Sequence, residues 1–114
     1  MRLGVTDYID CAHLLEGHAK CGRLHGHTYR IEMTVEGEAK GGMLLDFAEL
    51  KQQLRSVLAR YDHRHWNDFI DYPTVESICE RLAGEIAGVV TFPFTLRVYE
   101  GHAKWAETDR GRAR

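Results

Sequence analysis

Three histidines near the amino terminus have the spacing of ligands for a metal ion. His25 and His27 flank Gly26 in a segment of alternating pattern, so a strand there projects both imidazoles from one side, about 7 Å apart at their Cα atoms. His13 falls near the end of the preceding segment, which is predicted to be the neighbouring strand. Three neutral imidazoles from two adjacent strands leave one corner of a tetrahedron for water or substrate, as a catalytic Zn²⁺ site requires. The alternative is that these histidines only form hydrogen bonds at strand ends.

Cys21, four residues before His25, is a second candidate for chemistry. It lies in a glycine-containing loop between Lys20 and Arg23. Nearby cations favour the thiolate, which is the form that acts as a base or nucleophile. Two other roles fit the same position: an idle loop thiol, or a fourth zinc ligand that would make the site purely structural. The spacing leaves all three roles open.

Asp62 and His63 directly follow the first predicted helix and could form an acid–base pair. A carboxylate that orients an imidazole raises its basicity. Adjacent residues need not face each other, however, and a histidine at a helix carboxyl terminus also interacts with the helix dipole without doing chemistry. The next residues, Arg64 to Trp66, are predicted to lie on the loop surface.

Glu100 is a carboxylate at a position where the pattern calls for an apolar residue. It shares one side of a predicted strand with Phe94, Leu96 and Val98. A carboxylate on a dry face costs several kcal/mol unless it is paired. A planar ligand with two N–H groups, such as the edge of a pterin or a guanine, would bind both of its oxygens. The alternative is that the strand frays before residue 100 and Glu100 is in water.

The elements that position these residues follow from hydrophobic periodicity. Alternation predicts strands at residues 2–14, 24–36 and 94–100, and a short fourth strand at 104–107. Asp46 is expected to begin a helix that runs through residue 61, and Thr74 a second helix that ends near Gly88. The pattern predicts an α+β fold with an antiparallel four-stranded sheet, two helices on its apolar face and a wet opposite face. Open sheet edges favour pairing with other copies of the chain.

Composition and charge exclude several classes of protein. A chain of 114 residues is one domain, and its 15 basic and 17 acidic side chains give a net charge of −2. Residues 1–107 hold 12 basic and 16 acidic groups, which is the opposite of what a nucleic-acid-binding domain usually shows. Arginines at 110, 112 and 114 predict a flexible tail over residues 108–114. No apolar run approaches the roughly 20 residues that a membrane helix needs.

Cysteine usage predicts a reducing compartment. The chain has three cysteines, and its first residues already include Asp7, unlike a signal peptide. An odd number of cysteines without an export signal favours free thiols in the cytoplasm. Cys11 and Cys79 fall on apolar faces and are expected to be core residues.

Taken in order, several motifs resemble one family. The segment Cys21–His27 is similar to the C-x-x-x-H-G-H signature of the 6-pyruvoyl-tetrahydropterin synthase family, and especially to its queuosine-pathway branch, the 6-carboxy-5,6,7,8-tetrahydropterin synthases. Other matching segments are Cys11–His13, Gly42–Phe47, Asp62-His63 with Trp66–Asp68, and Pro73–Glu76. The resemblance covers roughly residues 5–107, and the ordered set is far more specific than H-x-H alone.

This resemblance implies a tunnelling fold over residues 1–107, in which ββααββ subunits join their sheets into a barrel within a trimer and two trimers form a homohexamer. It implies zinc on His13, His25 and His27, with Cys21 as the proton-transferring base. Asp62 and His63 would assist from a neighbouring subunit, and Glu100 would anchor the pterin edge. The implied substrate is 7,8-dihydroneopterin triphosphate, which loses triphosphate and acetaldehyde to give 6-carboxy-5,6,7,8-tetrahydropterin.

Other functions remain open alongside this one. A 6-pyruvoyl-tetrahydropterin synthase would eliminate triphosphate without losing carbon, and a non-catalytic module would bind zinc or a pterin without turnover. The Cys21–His27 segment contains no glutamate, whose presence there is typical of the aldolase-like branch. Gly101 follows Glu100, where relatives often have a threonine, which puts further pterin contacts in question.

Overall fold

The sheet consists of four antiparallel strands in the order β1-β2-β3-β4. A computed structural model describes residues 1–111. The strands are β1 (Arg2–His13), β2 (His25–Glu36), β3 (Phe94–Glu100) and β4 (Lys104–Arg110), and the helices are α1 (Phe47–Leu58) and α2 (Val75–Ile86), with a 3₁₀ turn at Trp66–Asp68. This ββααββ order confirms the fold class predicted from the sequence.

The register of β1 and β2 gathers the histidines at one end of the sheet. The two strands pair along their whole length, so that His13 lies opposite His25 and Cys11 lies opposite His27. Directly opposed residues on antiparallel strands project from the same face. The three imidazoles therefore lie on the face of the sheet that the helices cover.

The two helices begin where the sequence predicts. The carboxylate of Asp46 accepts a hydrogen bond from the amide of Ala48 at 2.8 Å, and the hydroxyl of Thr74 accepts one from the amide of Ser77 at 3.1 Å. Such capping satisfies amides that the first helical turn leaves without partners. Helix α1 lies against β1, and α2 lies against β3 and β4. Their apolar stripes and the alternate residues of the strands make up one core.

The opposite face of the sheet is polar, as the alternation predicts. Arg97 contacts Glu107 at 2.9 Å across β3 and β4, and the hydroxyl of Thr28 donates to Asp10 across β2 and β1. This face is crossed by hydrogen bonds and ion pairs, and the guanidinium of Arg97 lies over the ring of Trp105 on it. Among residues 1–111, no helix is long and apolar enough to cross a membrane.

Two sequence predictions about this fold are corrected. The domain boundary at residue 107 is too early, because β4 continues to Arg110, which pairs with Phe94; residues 112–114 of the predicted tail lie outside the described part. Trp66 is 1% exposed and belongs to the core, not to the loop surface. The sequence did not indicate this burial, because the neighbours of Trp66 are polar and a single aromatic residue within a loop forms no periodic pattern.

Candidate functional site

The imidazoles of His13, His25 and His27 converge at one point. Their ring centroids are 4.5 Å (His13 to His25), 5.1 Å (His13 to His27) and 4.8 Å (His25 to His27) apart. One nitrogen from each ring lies within 4.8 Å of the others, which makes the trio a group able to hold a metal ion. His13 is fully buried and the other two rings are partly exposed, so the site opens to solvent on one side.

Backbone carbonyls fix which nitrogen of each ring faces the centre. Nδ1 of His13 lies 2.8 Å from the carbonyl oxygen of Pro73, and Nδ1 of His25 lies 2.6 Å from that of Arg23. A carbonyl oxygen only accepts, so both Nδ1 atoms carry hydrogen and donate. In the neutral rings both Nε2 atoms then present lone pairs, yet they lie only 3.0 Å apart. A cation between them resolves this repulsion, and a carbonyl behind each ring is the usual support for a metal-binding histidine.

His27 adds a third nitrogen, which is without a hydrogen-bond partner in the part of the chain that the structure describes. Its Nε2 atom is buried and forms no hydrogen bond within the described residues. Burial lowers the pKa of His27; Glu100 opposes this shift, while His13 and His25 add to it. The neutral ring, which is the form that binds metals, is therefore favoured. The donor set and its orientation fit a tetrahedral site with three nitrogen ligands and one open position.

Glu100 lies beside this cluster and not in bulk water. Its side chain is 12% exposed, and Oε1 is 3.5 Å from Nε2 of His13 and 4.0 Å from Nε2 of His27. The strand does not fray before it, because Glu100 pairs with Tyr29 on one side and Lys104 on the other. The carboxylate therefore lies next to the Nε2 atoms of two of the three histidines.

Cys21 lies in the loop between β1 and β2 and is partly exposed. Among the described residues, its sulfur is not one of the ligand atoms that converge with the three histidines. Burial raises the pKa of Tyr29, and the negative charge of Glu100 raises it further. The ring of Tyr29 packs edge-on against the rings of His13 and His27.

Asp62 and His63 do face each other. Nδ1 of His63 lies 2.9 Å from Oδ1 of Asp62. The contact requires a positive φ of 62° at His63, an uncommon backbone conformation for a residue with a side chain. The amide of His63 donates to the carbonyl of Asp10 at 2.7 Å, which ties this turn to the edge of β1. His63 is 77% exposed, so its second nitrogen is open to solvent.

Arg55 of helix α1 supports this pair, a role that sequence reasoning missed. Its guanidinium donates to Oδ2 of Asp62 at 2.5 Å and to the carbonyl of Tyr8 at 3.3 Å. Burial alone would raise the pKa of Asp62, but the hydrogen bonds from Arg55 and from the amide of Asp10 outweigh it, and the pKa is lowered. Asp62 thus stays ionised and oriented. No sequence pattern indicated this contact, because Asp62 lies beyond the end of α1 at Leu58.

Two of these groups share a cavity. His27 and His63 both line a cleft of about 590 Å³, together with Asp10, Gly26, Thr28 and the 64–65 segment. The cleft is large enough for a bicyclic ligand. Within one chain, one histidine of the converging trio and His63 therefore face a common space.

The sequence model of one family matches residues 2–111, and its description is 6-pyruvoyl tetrahydropterin synthase. The match spans almost the whole chain. The chain belongs to the 6-pyruvoyl tetrahydropterin synthase family. Part of this resemblance was visible in the spacing of Cys21, His25 and His27.

Several relatives of this family member carry informative names. A protein of Archaeoglobus fulgidus, named as a candidate 6-carboxy-5,6,7,8-tetrahydropterin synthase, is 39% identical over 96% of each chain. The dihydroneopterin monophosphate aldolase of Pyrococcus furiosus is 40% identical over 69% of this chain and 72% of its own. The 6-carboxy-5,6,7,8-tetrahydropterin synthase of Haemophilus influenzae is 44% identical over 43% of this chain and 39% of its own.

Solved structures confirm the fold of this family member. The 6-pyruvoyl tetrahydropterin synthase of Plasmodium falciparum superposes with a TM-score of 0.81 over 96% of this chain and 97% of its own, at 16% identity. At that identity the likeness concerns the fold alone. The four-stranded sheet with two helices on one face is thus the fold of solved synthases.

Proposed function

We propose that this protein is a zinc-dependent lyase that converts 7,8-dihydroneopterin triphosphate to 6-carboxy-5,6,7,8-tetrahydropterin, with loss of triphosphate and acetaldehyde. Its product would be a precursor for queuosine. The observation that carries the proposal is the set of three Nε2 atoms that converge next to Glu100, in a chain whose full-length relative is named for this reaction.

The residues that would hold zinc are His13, His25 and His27. Two of the rings are already fixed with Nε2 towards the centre, and the third has a buried nitrogen that forms no hydrogen bond among residues 1–111. Bound zinc would supply Lewis-acid activation of hydroxyl oxygens on the substrate's side chain, which makes the neighbouring protons more acidic. Imidazole nitrogens in a three-ligand set are typical of catalytic zinc.

The remaining roles fall to groups around this centre. Glu100 would accept hydrogen bonds from two N–H groups of the pterin edge and so fix the ring. Cys21 as thiolate would remove a proton from the carbon next to the ring, and the ring C=N would take up the electrons. Asp62 would orient His63 as a second proton carrier. The charge that Asp62 keeps through Arg55 supports this role.

Assembly is part of the proposal. The sheet has two edge strands, β1 and β4, and a polar outer face. Three such sheets would join edge to edge into a barrel with that polar face lining the tunnel, and two trimers would stack as a hexamer. Asp62 and His63 of one subunit would then serve the site of a neighbour. Mass measurement of the protein in solution at micromolar concentration tests this, and a monomer would contradict it.

The aldolase-like reaction is the alternative that the comparisons raise. The Pyrococcus furiosus relative carries that name. In this chain the residues between Cys21 and His25 are Gly22, Arg23 and Leu24, so none of them offers a carboxylate for proton transfer. We therefore place the thiol of Cys21 in that role and favour the synthase reaction.

Product analysis distinguishes the candidate reactions. The zinc-loaded protein is incubated with 7,8-dihydroneopterin triphosphate, and the pterin, any free triphosphate and any aldehyde, volatile or phosphorylated, are identified by mass. The proposal requires a carboxylated tetrahydropterin and equimolar acetaldehyde. Triphosphate release with all carbons retained would identify a 6-pyruvoyl-tetrahydropterin synthase. A two-carbon aldehyde that still carries the triphosphate, with no free triphosphate, would identify an aldolase, and binding without turnover would identify a non-catalytic module.

A further inference from the structure

His18 lies in the loop between β1 and β2 and holds the backbone of Cys21. Its Nδ1 atom accepts hydrogen bonds from the amides of Lys20 at 3.2 Å and of Cys21 at 3.0 Å. The carbonyl of Cys21 in turn accepts from the amide of Leu15 at 2.8 Å. Both backbone polar groups of Cys21 are therefore bound within the loop.

The same loop is closed tightly around His18. The amide of His18 donates to the carbonyl of Leu15 at 3.0 Å, and Leu15 is buried in the protein. A Cβ atom at Gly22 would lie 2.6 Å from the carbonyl oxygen of His18, too close for any side chain. The loop is thus anchored to the core at Leu15, and the two amides that donate to His18 lie in its turn at residues 18–22.

The ring of His18 has a defined chemical form in this arrangement. Because Nδ1 accepts from two amides, it carries no hydrogen, and the proton of the neutral ring is on Nε2. Among the described residues, His18 is not part of the converging histidine group. The lone pair on Nδ1 of His18 accepts hydrogen bonds within the loop. His18 therefore has a different function from the three histidines at the end of the sheet.

We propose that His18 is a positioning residue that fixes the backbone of Cys21, in the loop that leads to the histidines of β2, by accepting hydrogen bonds from the amides of Lys20 and Cys21. The inference rests on the proposed function, in which the thiol of Cys21 transfers a proton. Proton transfer needs the thiolate within hydrogen-bond reach of the carbon-bound proton, and a displacement of about 1 Å can lower a rate by about 100-fold. Loss of the His18 ring therefore lowers turnover with little effect on pterin binding.

Three substitutions at one position test this. In His18→Asn the side-chain oxygen can occupy the place of Nδ1 and accept both amides. In His18→Gln the oxygen lies farther out, near the place of Nε2, and His18→Ala has no acceptor. We expect kcat to fall about 10- to 100-fold in the Ala and Gln variants, with KM within about twofold, and the Asn variant to recover most of the loss.

A second readout follows the loop without requiring turnover. Cys11 and Cys79 are buried and Cys21 is partly exposed, so iodoacetamide on the native zinc-loaded protein reports on Cys21. We expect altered alkylation of Cys21 and faster hydrogen exchange at the Lys20 and Cys21 amides in His18→Ala and His18→Gln, with near wild-type behaviour in His18→Asn. Zinc content stays equal in all variants.

The outcomes separate this inference from the proposed function. The inference is overturned if His18→Ala keeps the wild-type kcat, or if the Lys20 and Cys21 amides of that variant exchange hydrogen as slowly as in the wild type. It is also overturned if the kcat of His18→Asn is no higher than that of His18→Gln. If instead Cys21→Ala turns over at the wild-type rate, Cys21 is not the base. Because that result comes from a different variant, the hydrogen-exchange and alkylation measurements on the His18 variants still report on the loop.

Discussion

Replacing Glu100 with glutamine is expected to weaken pterin binding about 10- to 150-fold. The carboxylate is 12% exposed, and its one cationic contact among the described side chains is Lys104, at 3.8 Å. A pterin edge that donates two hydrogen bonds to it gains charge-assisted bonds of about 1.5–3 kcal/mol each. Glutamine keeps one acceptor but turns an amide donor towards the second N–H, so at least one bond is lost. A loss of 1.5–3 kcal/mol corresponds to that range of Kd.

Titration calorimetry of zinc-loaded protein with 7,8-dihydroneopterin measures this directly. That ligand has the pterin edge but no phosphates, so the Kd reports on the ring. Glu38→Gln is the matched control, because Glu38 is exposed and lies beyond the far end of β2 from the histidines. If Glu100→Gln binds the pterin as tightly as Glu38→Gln does, Glu100 is not the anchor and the orientation of the substrate in this account is wrong.

Three further results are expected. The pKa of Asp62 is lowered in the folded protein, so its ion pair stabilises the fold at pH values above the ordinary carboxyl pKa, and this stabilisation is lost as pH falls through the lowered pKa. Urea unfolding of Arg55→Ala should therefore show a lower free energy of unfolding than the wild type at pH 7, and the difference should shrink below about pH 4. A difference that does not change with pH would refute this. Trp66→Ala, which removes a ring stacked on Tyr61 at 4.9 Å, should lower the free energy of unfolding by about 3–5 kcal/mol, whereas the half-exposed Trp105→Ala should cost under about 1 kcal/mol; equal losses would contradict the burial argument. Removal of metal with a chelator should lower Tm by roughly 10 °C relative to protein in zinc at 100 times its Kd, and an unchanged Tm would show that the folded protein holds no metal.

The sequence predicted much of the site because its residues lie on regular strands. Alternation over 24–36 placed His25 and His27 on one face, and the apolar side of β1 placed His13 beside them. Position on a strand depends only on local backbone geometry, which the hydrophobic pattern reveals. The same alternation, in β3, showed that Glu100 is a carboxylate on the apolar face of its strand.

What the sequence did not predict depends on loops and on contacts between distant residues. The carbonyl of Pro73 supports His13 across 60 residues, and Arg55 reaches Asp62 only because of where α1 ends. Trp66 enters the core from a polar segment, because the turn around it pairs with the edge of β1. Backbone carbonyls have no sequence signature, so such supports become visible only once the chain is folded.

The central claim is that three histidines hold zinc with an open position while Cys21 remains outside the ligand set. Metal content per chain, measured by mass spectrometry on purified protein after dialysis against zinc, tests it most directly. The account predicts one zinc per chain in the wild type and in Cys21→Ala, and none in His25→Ala. A wild type without zinc, or a Cys21→Ala variant that loses it, would contradict the account.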